Sequence, residues 1–168
     1  MTSGDGQNTS DQAEPRISVT EYTVLGVMAE EPTHGFALAK KLAADSSVGR
    51  VFTVRRPLVY RAIDRLVETG YAEGVTTEKG DGPKRVIYTI TTTGRERLHR
   101  WLNEPVAHVR DLRIEFLLKL SLLQGSGHSP VALIRNQRTA LASTFEALHG
   151  DDIAPEDHVE LWRKHNAA

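Results

Sequence analysis

Residues 55–70 read Arg-Arg-Pro-Leu-Val-Tyr-Arg-Ala-Ile-Asp-Arg-Leu-Val-Glu-Thr-Gly, and this stretch decides the fold. Pro57 suits the first turn of a helix, where its fixed φ and missing N–H cost nothing, and Gly70 is the residue type that ends one. Between them Val59, Ala62, Ile63 and Leu66 recur three and four apart, so they share one side and predict a core-facing stripe. The other side carries Leu58, Arg61, Asp64 and Arg65, with Arg55 and Arg56 just before the N-terminus. A short amphipathic helix that is basic outside and at its approach has the form of one that enters a DNA major groove.

Upstream, the pattern supplies the helices such an element needs. Ser18 followed three residues later by Glu21 is a capping-box signature, and Tyr22, Leu25, Met28 and Ala29 then fall on one helical face before Pro32. Thr33-His34-Gly35 predicts a short turn in which His34 has a local hydrogen-bonding or packing role. Phe36, Leu38, Ala39, Leu42 and Ala43 then give the apolar side of a second helix, broken by Ser46-Ser47-Val48-Gly49. Residues 1–16 hold almost no large apolar side chain and predict a disordered tail.

Downstream, Tyr71 to Glu78 and Lys84 to Thr91 are rich in β-branched and aromatic residues around Lys79-Gly80-Asp81-Gly82-Pro83, which predicts a hairpin. Lys84 and Arg85 stand at its tip, and a basic-tipped β-ribbon directly after a recognition helix is a wing that reaches the DNA backbone. The rest predicts helices. Leu98, Trp101 and Leu102 belong to a segment ending at Pro105, followed by helices over Ile114 to Leu123 and over Pro130 to Leu148. The run Phe116-Leu117-Leu118-Lys119-Leu120-Ser121-Leu122-Leu123 is apolar nearly all round and needs cover on more than one side. Val131, Ile134, Leu141, Phe145 and Leu148 follow at a coiled-coil-like spacing interrupted by Arg138. A second copy of the chain is the simplest cover. The expected interface therefore takes Phe116, Leu117, Leu120 and Leu123 from one helix and Ile134, Leu141, Phe145 and Leu148 from the next.

The expected class is thus mainly α with a small β-hairpin: a winged helix-turn-helix domain over 17–100, and a helical C-terminal dimerisation arm over 101–168. Charge supports this when read by segment. The chain carries a net −1, yet Gly49 to Arg100 hold eleven Lys and Arg against six Asp and Glu, so positive charge gathers in the predicted reading head. No apolar run approaches the roughly 20 residues of a membrane span, and the polar N-terminus is unlike a signal peptide, so the expected location is the cytoplasm, with no membrane partner. The absence of cysteine removes disulfides, thiolate metal sites and cysteine nucleophiles.

These motifs together resemble the PadR family of bacterial transcriptional regulators. The resemblance lies in Glu21-Tyr22-Thr23-Val24-Leu25-Gly26-Val27-Met28, in His34-Gly35-Phe36-Ala37-Leu38, and in Val59-Tyr60-Arg61-Ala62-Ile63-Asp64-Arg65-Leu66 with Gly70. It continues through Arg85-Val86-Ile87-Tyr88-Thr89-Ile90-Thr91-Thr92-Thr93-Gly94 and Arg113-Ile114-Glu115-Phe116-Leu117-Leu118-Lys119. It implies a homodimer bound to palindromic operators, usually as a repressor, with a long arm like that of the larger of the family's two broad subgroups. Pro57-Leu58 departs from the small residues, commonly Gly-Ser, that the family carries before the leucine-tyrosine pair.

The candidate DNA-binding residues are Arg55, Arg56, Leu58, Tyr60, Arg61, Arg65, Lys84 and Arg85. Arg61 is the expected base reader and Arg55 and Arg56 the expected phosphate clamps, while Tyr60 sits between core packing and a hydroxyl bond to phosphate. Trp101, Phe116 and Trp162 are the aromatic candidates for a small apolar effector pocket, with plain interface packing as the alternative. Among seven histidines, His158 and His165 are spaced too widely for the i, i+4 pair of a helical zinc site, so no metal or other cofactor is expected. No nucleophile elbow, phosphate loop or dinucleotide fingerprint occurs, so no enzyme is expected. The rival readings are a winged-helix module that binds an acidic protein and a metal-dependent sensor.

Overall fold

The computed structural model describes residues 14–77 and 85–150, with side chains left aside at 76, 77, 85 and 147–150. The chain divides into two compact units at the His99–Arg100 step.

The first unit is built round helix α1 (Val19–Met28). The capping box forms: the Ser18 backbone N–H donates to Glu21 Oε2 at 2.6 Å, and the Glu21 N–H donates to Ser18 Oγ at 3.3 Å. The helix is buried from Tyr22 to Met28 on every side rather than along one stripe, because α2 (Gly35–Lys41), α3 (Arg56–Glu68) and the sheet all pack against it. Thr23 tolerates full burial because its hydroxyl donates to Val19 O at 2.6 Å.

The turn expected at Thr33-His34 is a short strand, β1 (Thr33–His34), so the sheet has three strands where the sequence predicts a two-stranded hairpin. β2 (Ala72–Thr77) and β3 (Arg85–Ile90) form the ribbon, with Ala72 opposite Ile90 and Thr77 opposite Arg85. β1 pairs with the free edge of β3, giving the order β1-β3-β2. His34 then caps α2, its Nδ1 accepting from Ala37 N at 3.0 Å, which is the local role its position suggests.

Between α2 and α3 the chain folds tightly. Gly49 N–H donates to Ser46 Oγ at 2.8 Å, and Val54 N–H reaches back to Leu42 O at 3.1 Å, which brings Val48 and Val54 into the core. A Cβ on Gly49 would collide with the Ala43 carbonyl, so a glycine is required there. At the other end of α3, Gly70 takes φ +74°, and Tyr71 N–H donates to Leu66 O at 2.9 Å, closing the helix and aiming the chain into β2.

Helix α4 (Thr92–Asn103) carries the chain into the second unit, where a single 3₁₀ turn (Val109–Arg113) precedes α5 (Glu115–Gly125) and α6 (Val131–Gly150). Polar side chains seize the backbone that follows α4. Gln137 Oε1 accepts from Val106 N at 2.8 Å while its Nε2 donates to Val106 O at 2.9 Å. Asn136 Nδ2 donates to Asn103 O at 3.0 Å and Lys119 Nζ donates to Glu104 O at 2.8 Å. The cation thereby lies at the carbonyl end of α4, where the helix dipole favours positive charge.

Lys119 is only 1% exposed, in the run whose sequence reads as an apolar helix. Glu115 Oε1 lies 2.9 Å away and the Trp101 ring centroid 4.7 Å away, so the buried ammonium is paired, hydrogen-bonded and stacked. Among the described residues no helix is long and apolar enough to cross a membrane, and no group of His, Asp and Glu is arranged to hold a metal ion.

Candidate nucleic-acid interface

Val59, Ala62, Ile63 and Leu66 hold α3 against the core, which turns the opposite side outward. On that side Arg61, Asp64 and Arg65 are exposed and Leu58 is 44% exposed. Arg61 makes no ion pair among the described residues, whereas Arg65 Nη1 lies 3.0 Å from Glu68 Oε2. That pair is exposed at both ends, so it is worth little and leaves the guanidinium available. Arg61 and Arg65, with Leu58 and Asp64, line an open groove of about 780 Å³ shared with Ser18, Thr20 and Glu21 at the start of α1.

Arg55 is the N-cap of α3, without a capping side-chain hydrogen bond, and Arg56 begins the helix, one residue earlier than Pro57 suggests. The first turn holds no carboxylate. Two cations therefore stand at the positive end of a helix dipole, the arrangement least comfortable without an anion nearby.

Phe36 does not join the apolar side of α2. It is 57% exposed, because Leu38 and Leu42, four apart, fix the inward face, and a residue two positions before Leu38 lies about 200° round the helix. Its ring stands beside Arg56, whose Cζ lies 5.2 Å from the Phe36 centroid and 5.7 Å from that of Tyr60. Tyr60 is 37% exposed and lies against Gly35, where an added Cβ would come within 2.8 Å of its Cε1. Gly35 is thus the residue that lets α2 and α3 approach with a tyrosine between them.

These rings border a second open groove, of about 650 Å³, lined by His34, Phe36, Lys40, Tyr60, Val86 and Tyr88. Burial pushes the Tyr88 phenol above its ordinary pKa of 10.0, and the charges of Asp64 and ionised Tyr60 push it the same way. The neutral phenol is therefore the form the fold holds. Of the wing residues, Lys84 and the tip lie outside the described residues, and of Arg85 only the backbone, in register with Thr77, is described.

In the second unit the expected interface residues separate. Leu123 and Leu141 are buried by their own chain, Phe116 and Leu120 are half-buried, and Leu117, Ile134 and Phe145 are exposed. On α6, Leu133, Gln137 and Leu141 form the inward row, while Val131, Ile134, Arg138 and Phe145 lie outward. Leu148's side chain is outside the description. Of the aromatic candidates for an effector site, Trp101 is buried with its Nε1 donating to Glu115 Oε1 at 3.1 Å, and Trp162 lies outside the described residues.

The sequence that builds this three-helix core and its β-ribbon matches, over residues 24–100, one family model, described as the transcriptional regulator PadR-like family. Those 77 residues are similar to the PadR-like regulators. A probable transcriptional regulator of Mycobacterium tuberculosis is 28% identical over 126 residues, covering 71% of this chain and 66% of that protein. The negative transcriptional regulator PadR of Bacillus subtilis is 24% identical over 105 residues, covering 61% of this chain and 56% of that one. The chain thus spans somewhat less than two thirds of each relative's length. The crystal structure of Bacillus subtilis PadR in complex with operator DNA shares the fold, with a TM-score of 0.52 at 19% identity, covering 88% of each chain. The matched model describes transcriptional regulators.

Proposed function

We propose that this protein binds double-stranded DNA as a homodimer and represses transcription from a palindromic operator. The observation that carries the reading is the outward face of α3, where Arg55, Arg56 and Arg61 are exposed with no carboxylate partner among the described residues. Arg61 reads a base edge, Arg55 and Arg56 clamp phosphate, and the β2–β3 ribbon carries Lys84 and Arg85 along the backbone. The relative from Bacillus subtilis, a negative regulator whose homologous fold has been crystallised on operator DNA, supports the same reading.

Homodimerisation is supported by the arm. Ile114, Leu117, Val131, Ile134 and Phe145 are each more than two-fifths exposed, far more apolar surface than so small a unit needs to present to water. Two copies joined through that surface would set two recognition helices in successive major grooves, about 34 to 36 Å apart.

Selection of bound duplexes from random DNA, followed by salt titration of the winner, tests this. The expected result is an inverted repeat with half-sites about one helical turn apart and affinity that falls steeply with salt. Absence of salt-sensitive duplex binding would overturn the reading and favour an acidic protein as the partner of the basic face.

A further inference from the structure

Of the two rings against Arg56, Phe36 has no role in the contacts assigned above, and it is a large apolar side chain 57% exposed. From it we infer that Phe36 is a positioning residue for DNA recognition: its ring, with that of Tyr60, holds the Arg56 guanidinium in the orientation in which it meets the duplex. The inference rests on the proposed DNA-binding function and adds to it a residue from α2, outside the recognition helix and the wing.

Three observations carry it. Arg56 lies over two rings that come from two different helices, at 5.2 Å from Phe36 and 5.7 Å from Tyr60, so its direction is set from two sides. No carboxylate competes for it among the described residues, since α3 has none in its first turn and no ion pair involves Arg56. The guanidinium is nonetheless exposed, as are Phe36 and Tyr60, so the stack leaves its edge open to a partner. A cation held over aromatic faces keeps its in-plane N–H donors directed outward, which is the presentation a phosphate or a guanine edge accepts bidentately. An arginine on a flexible stem must otherwise lose rotamer freedom on binding, so pre-orientation raises affinity without adding a contact.

The test is a double-mutant cycle on the full chain, with a selected duplex as the probe. Phe36→Leu keeps an apolar side chain at an exposed site and removes only the ring face. It should weaken duplex binding about two- to fivefold while Arg56 is present, and have no effect once Arg56 is alanine. Phe36→Tyr should restore wild-type affinity. The salt slope should stay unchanged in Phe36→Leu, which keeps the charge, and fall by about one contact in Arg56→Ala. Equal losses from Phe36→Leu in both backgrounds would overturn the inference, because Phe36 would then touch DNA on its own account. No loss in either would overturn it as well. If the wild-type protein shows no salt-sensitive duplex binding, the proposed function falls and this inference with it, an outcome distinct from additivity in a chain that binds.

Discussion

Gln137→Leu should cost the second unit more stability than any exposed substitution on the same helix. The amide is 5% exposed and closes two short bonds onto one residue, accepting from Val106 N and donating to Val106 O, in a segment whose side chain is itself only 3% exposed. Leucine has nearly the same shape but leaves both backbone groups without partners. Each of the two buried unsatisfied groups costs about 1 to 3 kcal/mol, and the added apolar surface recovers about 1 kcal/mol, so the expected loss is about 1 to 5 kcal/mol. Urea unfolding followed by circular dichroism, at one fixed protein concentration because association would add to apparent stability, reads it directly. A companion variant separates hydrogen bonding from packing. In Gln137→Glu one carboxylate oxygen still accepts from Val106 N–H, while the other faces Val106 O, acceptor against acceptor. The protonated acid can donate there, so its folded pKa is raised above the unfolded value of about 4.3. Its stabilising contribution is then complete below that unfolded value and is lost as pH rises through the folded one. A loss under about 0.5 kcal/mol in the leucine variant, or a glutamate variant insensitive to pH, would refute the account of Gln137 as the latch on the α4–α5 connection.

Three further outcomes follow from the geometry. Arg61→Ala should relax operator choice at one base position, at a cost of about 1 to 3 kcal/mol; a bound-duplex selection that returns the wild-type motif would remove Arg61 from base readout. Ile134→Glu places a charge on the outward face of α6 and should yield monomers by light scattering, whereas an unchanged mass would move the interface elsewhere. Leu141 is unsuited to that experiment, because it is buried by its own chain and a charge there would unfold the arm. Asp64→Asn should lower the alkaline titration of Tyr88, followed at 295 nm as the difference from a Tyr88→Phe protein, since burial would then act with one charge fewer. The raised value means that Tyr88 contributes stability below pH 10.0 and loses it as pH climbs through the folded pKa, and an unshifted titration would dissociate the two residues.

Much of the first unit is legible in the sequence because its signals are local. The capping box at Ser18, the stripe from Val59 to Leu66 and the glycine stop at Gly70 depend on neighbours within one or two turns, and each occurs at the expected residues. What the sequence hides is set by partners distant in the chain. Thr33-His34 becomes a strand only because β3 offers it an edge, His34 pairing with Ile87, 53 residues on, and Thr33 with Tyr88, 55 residues on. Phe36 is apolar by composition and outward by geometry, and the clue available was its offset of two from Leu38. Lys119 is the reverse case: a charge in a leucine run, buried because Glu115 at i−4, Trp101 and the carbonyl of Glu104 converge on it. On α6, spacing alone merged two rows, Leu133-Gln137-Leu141 inward and Val131-Ile134-Phe145 outward, which differ by about a quarter turn and have different partners.

Counting arginines on α3 overstates what that helix can give to DNA affinity. Asp64 and Glu68 stand among them, and Glu68 lies 3.0 Å from Arg65, so a phosphate that takes up the available Arg65 guanidinium still meets the negative charge of two nearby carboxylates. The N-terminal end has no such cost, since Arg55 and Arg56 have no acidic neighbour in the first turn. On the proposed function this divides the labour along one helix. Affinity and its salt dependence come chiefly from the N-terminal arginines and the wing, while the body of the helix, with its mixed charges and an Arg61 that has no ion pair among the described residues, discriminates between sequences. Asp64 then serves specificity as a repulsive element, penalising any register that would bring backbone phosphate against the middle of α3.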